Sequence, residues 1–260
     1  MSDWAREYFE RGYAQRWGLP PVSDQIRLEV RALWDQLQLT PKSRVIDIGC
    51  GHGRHALALA ECGPAVVGVD LAGALLTRAQ VLAADLGVQT HWIRGDMRRL
   101  PLRSRSFSAA VLIDAFGFFE TEEENEAVLG EAARVLVPGG RFGLKVVNGR
   151  RVLASFRKAD REEREGVIVT ISRTLALEPP HMTERVTVSG ARGNGEYERH
   201  QRLYSAEELR HAVARAGFRS LRVFGSPAGA PFEPEASPAM LVFGQRSDAP
   251  SNKPLTVRAS

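Results

Sequence analysis

The sequence predicts an α/β fold organised around a parallel sheet, and three observations carry that expectation. Short apolar runs alternate with helix-like stretches between residues 44 and 147, the turn after the first run is rich in glycine, and acidic residues stand at the ends of several runs. In open parallel sheets, ligands bind beyond those strand ends. With 260 residues and 43% apolar side chains, the chain suffices for one large domain or two small ones with a substantial core.

The elements follow in order. Ile26, Val30, Leu33, Trp34 and Leu37 fall on one face of a helix spanning 23–39, which Thr40-Pro41 ends. Apolar runs at 45–48 and 65–69 are each followed by a helix, at 54–62 and 72–86. Runs at 88–93 and 107–113 come next, then a helix over 122–137 and a run at 142–147. Thr121 and Glu124 have the spacing of a capping box, and Pro138-Gly139-Gly140 supplies the turn that stops the helix. Beyond Asn148 the period changes: Val167, Val169, Ile171, Leu175 and Leu177 alternate with polar or small residues, and Met182, Val186 and Val188 do the same, predicting a small antiparallel β insertion over 165–204. A second capping-box spacing at Ser205 and Glu208 opens a helix to Gly217, and runs at 221–224 and 240–243 follow with no helix between them. Residues 1–39 are expected to form an N-terminal helical segment, 40–246 the main domain, and the polar stretch 247–260 a disordered tail.

Charge and cysteine usage narrow the class. Thirty-five basic against 31 acidic side chains leave a net charge of +4, short of the concentrated charge of a dedicated nucleic-acid binder. Cys50 and Cys62 lack the paired spacing of a zinc or redox site, so a reducing, cytoplasmic setting is expected and no metal site. The charged N-terminus has no apolar signal core, and the longest apolar stretch, 109–119, is interrupted by Asp114, so secretion and membrane insertion are not expected.

The chemistry concentrates in VIDIGCGHGRH, residues 45–55, where a strand runs through Gly49, Gly51 and Gly53 into a helix. Such a turn brings backbone close to a ligand and aims helix N–H groups at it. A dinucleotide fingerprint would need its third glycine at position 54, which is Arg54, so the spacing is wrong for NAD. Asp47 within the strand favours a ligand bearing positive charge. Asp70, 21 residues after Gly49, stands where a carboxylate accepts from ribose hydroxyls, while Asp96 and Met97 close the third strand–helix turn, where they suit an adenine amino group and ring.

These residues resemble the motifs of the class I S-adenosylmethionine-dependent methyltransferases: the glycine turn is similar to their first motif, GVD ending at Asp70 to their second, RGDM to their adenine loop, and LVPGGRF at 136–142 to a later turn. The resemblance covers roughly 40–150 and 203–246. It implies a Rossmann-like, doubly wound sheet of seven strands with the last strand antiparallel. It also implies S-adenosyl-L-methionine as cofactor, with Asp47, Gly49, Gly51 and Gly53 around its methionine end, Asp70 at the ribose, Asp96 and Met97 at the adenine, and Cys50, Leu71 and Ile113 as further cofactor-binding residues. The N-terminal segment would act as a lid, with Tyr13 touching the cofactor, and the β insertion as a lid over the acceptor.

The acceptor is expected to be a small molecule methylated on N or O. The loop after the fourth run, IDAFGFF, lacks the prolines of adenine and cytosine N-methyltransferases, and neither cysteine stands there as a nucleophile for cytosine C5. Asp114 at the strand end either touches cofactor or acceptor or caps the next segment, and the aromatics 116–119 either line the acceptor pocket or fill the core. His200, Arg202 and Tyr204, spaced by two, would share one strand face, looking into the cleft or out to solvent, so Asp114, His200 and Tyr204 form the candidate catalytic set. Two other readings remain: methylation of RNA or protein, for which the basic stretch 150–164 speaks, and a cofactor-binding scaffold without turnover.

Overall fold

In the computed structural model, which describes residues 3–227 and 229–247, the N-terminal segment is helical from Asp3, well ahead of the helix that the apolar periodicity marks at 23–39. Helix α1 (Asp3–Glu7) passes through a π-helical turn (Tyr8–Gly12) into α2 (Tyr13–Trp17), and the longer α3 (Asp24–Leu37) follows. Ser23 caps α3 by accepting from the Ile26 N–H at 3.3 Å. Strands and helices then alternate: β1 (Arg44–Ile48), α4 (Arg54–Glu61), β2 (Ala65–Asp70), α5 (Gly73–Leu86), β3 (Thr90–Arg94), β4 (Phe107–Ile113), α6 (Glu122–Val135) and β5 (Leu136–Val147). Next come a short α7 (Gly149–Ala154) and four strands, β6 (Ala159–Arg164), β7 (Val167–Leu177), β8 (Pro180–Gly190) and β9 (Gly195–Arg202). The chain closes with α8 (Ala206–Arg215), β10 (Phe218–Phe224) and β11 (Ala239–Arg246).

Seven strands form the main sheet in the order β10-β11-β5-β4-β1-β2-β3, and only β11 runs antiparallel to its neighbours. The expected seven-stranded, doubly wound sheet is therefore present. The order reverses between β1 and β4, and a crevice opens there at the strand ends. One face of the sheet packs on α6 and α8 through Val128, Leu129, Ala132, Leu209 and Val213, the other on α3 and α4 through Val30, Leu33, Leu37, Leu57 and Leu59. The two capping boxes differ in outcome. Ser205 and Glu208 satisfy each other's backbone N–H groups, whereas Thr121 accepts from the Glu124 N–H but the Glu124 carboxylate turns to Arg98 instead.

The insertion has four strands rather than the span 165–204. Its first strand, ADREER, carries no apolar alternation because it is an exposed edge, and it begins at Ala159. Part of the basic stretch 150–164 thus forms α7 and this edge, where Arg150 pairs with Glu235 and Arg157 with Asp160. The inner face of the insertion is built by register: Val169, Val188, Ile171, Val186 and Tyr197 pack together across β7, β8 and β9, and Tyr8 of the π-helical turn covers them, with Trp4, Phe9 and Tyr13 alongside. Gly12 makes this contact feasible, since a Cβ there would stand 2.6 Å from the Tyr197 ring. The N-terminal helix and the insertion are one packed unit. Beyond Ser247, whose N–H donates to the Gly217 carbonyl, the expected disordered tail lies outside the described residues.

One row of that face is charged. Arg173, Glu184 and Arg199 stand opposite one another on β7, β8 and β9, and Arg16 of α2 reaches the same carboxylate at 3.1 Å. The surrounding guanidiniums outweigh desolvation and hold the Glu184 carboxyl at about 2, well below its ordinary value of 4.5. That contribution to stability is complete above pH 4.5 and is lost as the pH falls toward 2. The Glu184→Gln variant should lose about 3 kcal/mol at neutral pH, because it leaves buried arginines unpaired. Its stability should also depend less on pH over that acid range, as urea unfolding at a series of pH values would record.

Candidate active site

The glycine turn after β1 is the floor of the crevice. Gly49, Gly51 and Gly53 adopt φ values of 71°, 56° and 83°, a region side-chain-bearing residues avoid. At Gly49 space matters as well, because a Cβ would stand 2.5 Å from that of Ala115. Gly53 then caps α4. Asp70, at the end of β2, accepts from the Gly51 N–H at 2.7 Å and the Ala72 N–H at 2.9 Å, so it fixes the turn from the side. Burial pushes its carboxyl up, and those two N–H groups pull the other way.

A cavity of about 570 Å³ lies above the turn. Gly49, Cys50, Gly51, Asp70, Leu71, Met97 and Ile113 line one half, together with Tyr13 from the N-terminal helix. The other half is walled by Phe9, Phe116, Phe118, Val146, Met182 and Gln201, with Arg199 among them. The N-terminal helix closes the top and is tied down on both sides. Its Glu10 accepts from the Gly73 and Ala74 N–H groups at the start of α5, at 3.0 and 3.1 Å, and its Arg16 pairs with Glu184 of the insertion.

Asp114 is on the cavity wall, as the sequence suggests for a strand end. Its φ is 55°, and its carboxylate lies 3.1 Å from Lys145 Nζ, which also meets Glu29 at 3.1 Å. Glu29 in turn contacts His55 at 3.2 Å, and burial notwithstanding, His55 and Lys145 hold its carboxyl at about 2. His52 also reaches the cavity, where burial and Arg54 lower its pKa to about 4. It is neutral at physiological pH and donates from Nε2 to the Pro20 carbonyl at 3.1 Å.

Several expected residues are elsewhere. Asp47 lies buried beneath the turn, where desolvation raises its carboxyl to about 6 and the Ala56 N–H is its partner; neither it nor Gly53 lines the cavity. Asp96 is not among the residues lining the cavity beside Met97, and Arg98, two residues on, takes both its oxygens.

The candidate catalytic pair His200 and Tyr204 is off the cavity altogether. Alternation on β9 is present, but the odd positions Arg199 and Gln201 face inward, in register with Glu184 and Met182. A parity read one residue out moves the whole set to the wrong side. His200 contacts Glu198, Thr183 and the Trp4 ring. The strand ends at Arg202, before Tyr204, whose hydroxyl donates to Glu122 at 3.0 Å while its ring stacks on Phe116. Arg202 is buried too, bonded to Glu122 and Glu208. Arg199, Gln201 and Met182 were missed, and their signal was the apolar Tyr197, which marks the inward parity of β9.

Comparison with known proteins agrees with this geometry. A family model described as a methyltransferase domain matches residues 45–140, from β1 to the turn inside β5. The demethylmenaquinone methyltransferase of Thermus thermophilus is 37% identical over 119 residues, 45% of this chain; the chain spans about half the length of that relative, 52%. A malonyl-[acyl-carrier protein] O-methyltransferase of Geobacter sulfurreducens is 27% identical over 97% of this chain and 83% of its own. Among solved structures, CalS10 of Micromonospora echinaspora, an amino pentose methyltransferase with S-adenosylmethionine bound, superposes with a TM-score of 0.63 at 25% identity, over 91% of this chain and 95% of that one. Residues 45–140 thus form a methyltransferase domain, and the glycine turn, the sheet order with its single reversed strand and these likenesses are those of the class I S-adenosylmethionine-dependent methyltransferases.

Proposed function

We propose that this methyltransferase acts on a nitrogen or oxygen of a small molecule held wholly inside the cavity. The observation that carries the reading is the roof: the N-terminal helix and the insertion, packed together through Tyr8 and Tyr197, lie across the crevice and leave a roofed chamber with aromatic side chains in its wall. A volume of about 570 Å³ is in the range of small-ligand sites, and it must take cofactor and acceptor together. The basic stretch that favoured RNA or protein is in part paired internally at Arg150 and Arg157. The chain's net composition and this roofed site fit a cytoplasmic enzyme of metabolites.

The residues present fit the cofactor. A Cβ at Gly49 would collide with Ala115, whereas one at Gly51 would meet only Leu75, at 3.9 Å, so the turn backbone lies open to a ligand at Gly51; Asp70 offers a fixed carboxylate beside it, and Leu71, Met97 and Ile113 give apolar walls for a nucleoside. When bound, S-adenosylmethionine supplies a methyl group on a sulfonium, so the S–C bond breaks as the N–C or O–C bond of the acceptor forms and the neutral thioether S-adenosylhomocysteine remains. Gly49, Cys50 and Gly51 hold the methionine end, Asp70 the ribose, and Tyr13 covers them. The aromatic walls exclude water, and the lid keeps donor and acceptor together, which is most of what an in-line displacement asks of a protein. Asp114, steadied by Lys145, accepts a hydrogen bond from the acceptor N–H or O–H and takes its proton as the product forms.

Calorimetric titration with S-adenosylmethionine, followed by a screen of small amines, alcohols and phenols for S-adenosylhomocysteine release, tests the reading; methyl transfer only to RNA or protein would overturn it. In the Asp70→Ala variant, affinity for the cofactor should fall by about 1.5–3 kcal/mol, the range for hydrogen bonds to a charged group, and an unchanged affinity in the folded variant would remove the ribose role. Because His200 is off the cavity, His200→Gln should keep turnover within about two-fold of the parent, whereas Asp114→Asn should lower turnover about 100-fold or more at unchanged cofactor affinity, as steady-state kinetics on one acceptor would show.

A further inference from the structure

Apart from Asp114, the acceptor half of the cavity is apolar except where the insertion meets it. Phe116, Phe118, Val146 and Met182 form its wall, and Arg199 with Gln201 interrupts it. The Arg199 guanidinium is poorly used by its neighbours. Nη1 lies 3.4 Å from Glu184, Nη2 donates to the neutral Gln201 oxygen, and Nε, shielded from solvent, has no hydrogen-bond partner. Its carbon centre stands 5.3 Å from the Phe118 ring.

The charges of the row do not balance. Arg16, Arg173 and Arg199 converge on Glu184, and the carboxylate of Asp160 beside the row meets Arg173 and, at 3.8 Å, the exposed Arg157. Three guanidiniums therefore share two carboxylates. Of the three, Arg199 alone is among the residues that line the cavity, so it is there that a ligand meets the positive charge of the cluster. A partly buried cation with an idle N–H group is costly in isolation and gains most from an anion arriving with the ligand.

We propose that the acceptor is a small carboxylic acid with an apolar body, and that Arg199 binds its carboxylate. The inference rests on the small-molecule reading above and names its substrate class. A single surplus charge matches a monoanion, and a planar guanidinium edge matches two carboxylate oxygens. A phosphate dianion would exceed that charge, and the surrounding phenylalanines, valine and methionine offer nothing for its remaining oxygens. The aromatic wall takes the apolar body, and the amine or hydroxyl that receives the methyl group then lies between Arg199 and the cofactor half.

The test is calorimetry on protein saturated with S-adenosylhomocysteine, titrated with phenylacetate, 3-phenylpropionate, the two corresponding carboxamides and inorganic phosphate. At least one carboxylate should bind about ten-fold or more tighter than its amide, and phosphate should not compete. Arg199→Gln should abolish the preference with S-adenosylhomocysteine affinity within about two-fold, and Arg199→Lys, which keeps the charge of the row, should retain part of it. Equal binding of acid and amide, binding of neither, preference for phosphate, or loss of cofactor affinity in Arg199→Lys would each overturn the assignment. An acceptor screen that returns only small molecules without a carboxylate overturns this proposal alone, while transfer confined to RNA or protein overturns the reading beneath it.

Discussion

A buried carboxylate that stays ionised needs cations or N–H donors around it, and Glu184 obtains cations from α2, β7 and β9 at once. The site depends on that requirement. Arg16 cannot reach Glu184 unless the N-terminal helix lies on the insertion, and with the helix there, Glu10 meets the start of α5 and Tyr13 looks down on the glycine turn. The roof is thus specified by an ion cluster as well as by the Tyr8 and Tyr197 contact, and a cluster has one register where apolar surfaces tolerate several.

The two halves of the cavity have different origins. The cofactor half comes from the C-terminal ends of parallel strands, where the strand order reverses and a crevice is unavoidable. The acceptor half is completed by an added sheet, which contributes Met182, Arg199 and Gln201 and could differ in shape or charge without disturbing that crevice. Binding of the common donor and choice of acceptor are therefore separable in the architecture, and the malonyl and amino pentose methyltransferases to which the chain is similar are named for very different acceptors.

What was legible in the sequence follows the same division. A strand, a glycine turn and a helix are local features, so Gly49, Gly51, Asp70 and Met97 could be placed from spacing alone. The parity of β9 is not local: Tyr197 reveals it only if its packing against Val186 and Tyr8 is known. Edge strand β6 carried no apolar signal because it buries almost nothing. The motif drew attention to Asp96, but not to the partner that Arg98, two residues on, gives it.

The roof joins the two ends of a long stretch of chain: Arg16 and Glu184 stand 168 residues apart. During synthesis the N-terminal helix leaves the ribosome with its apolar face uncovered, and the surface that will cover it is among the later parts to be made. Contacts of such separation close slowly, since the loop between them must first be ordered. The parallel core can therefore assemble while its cover is still unmade, and the nascent protein passes through a stage in which the donor site exists but stands open to water.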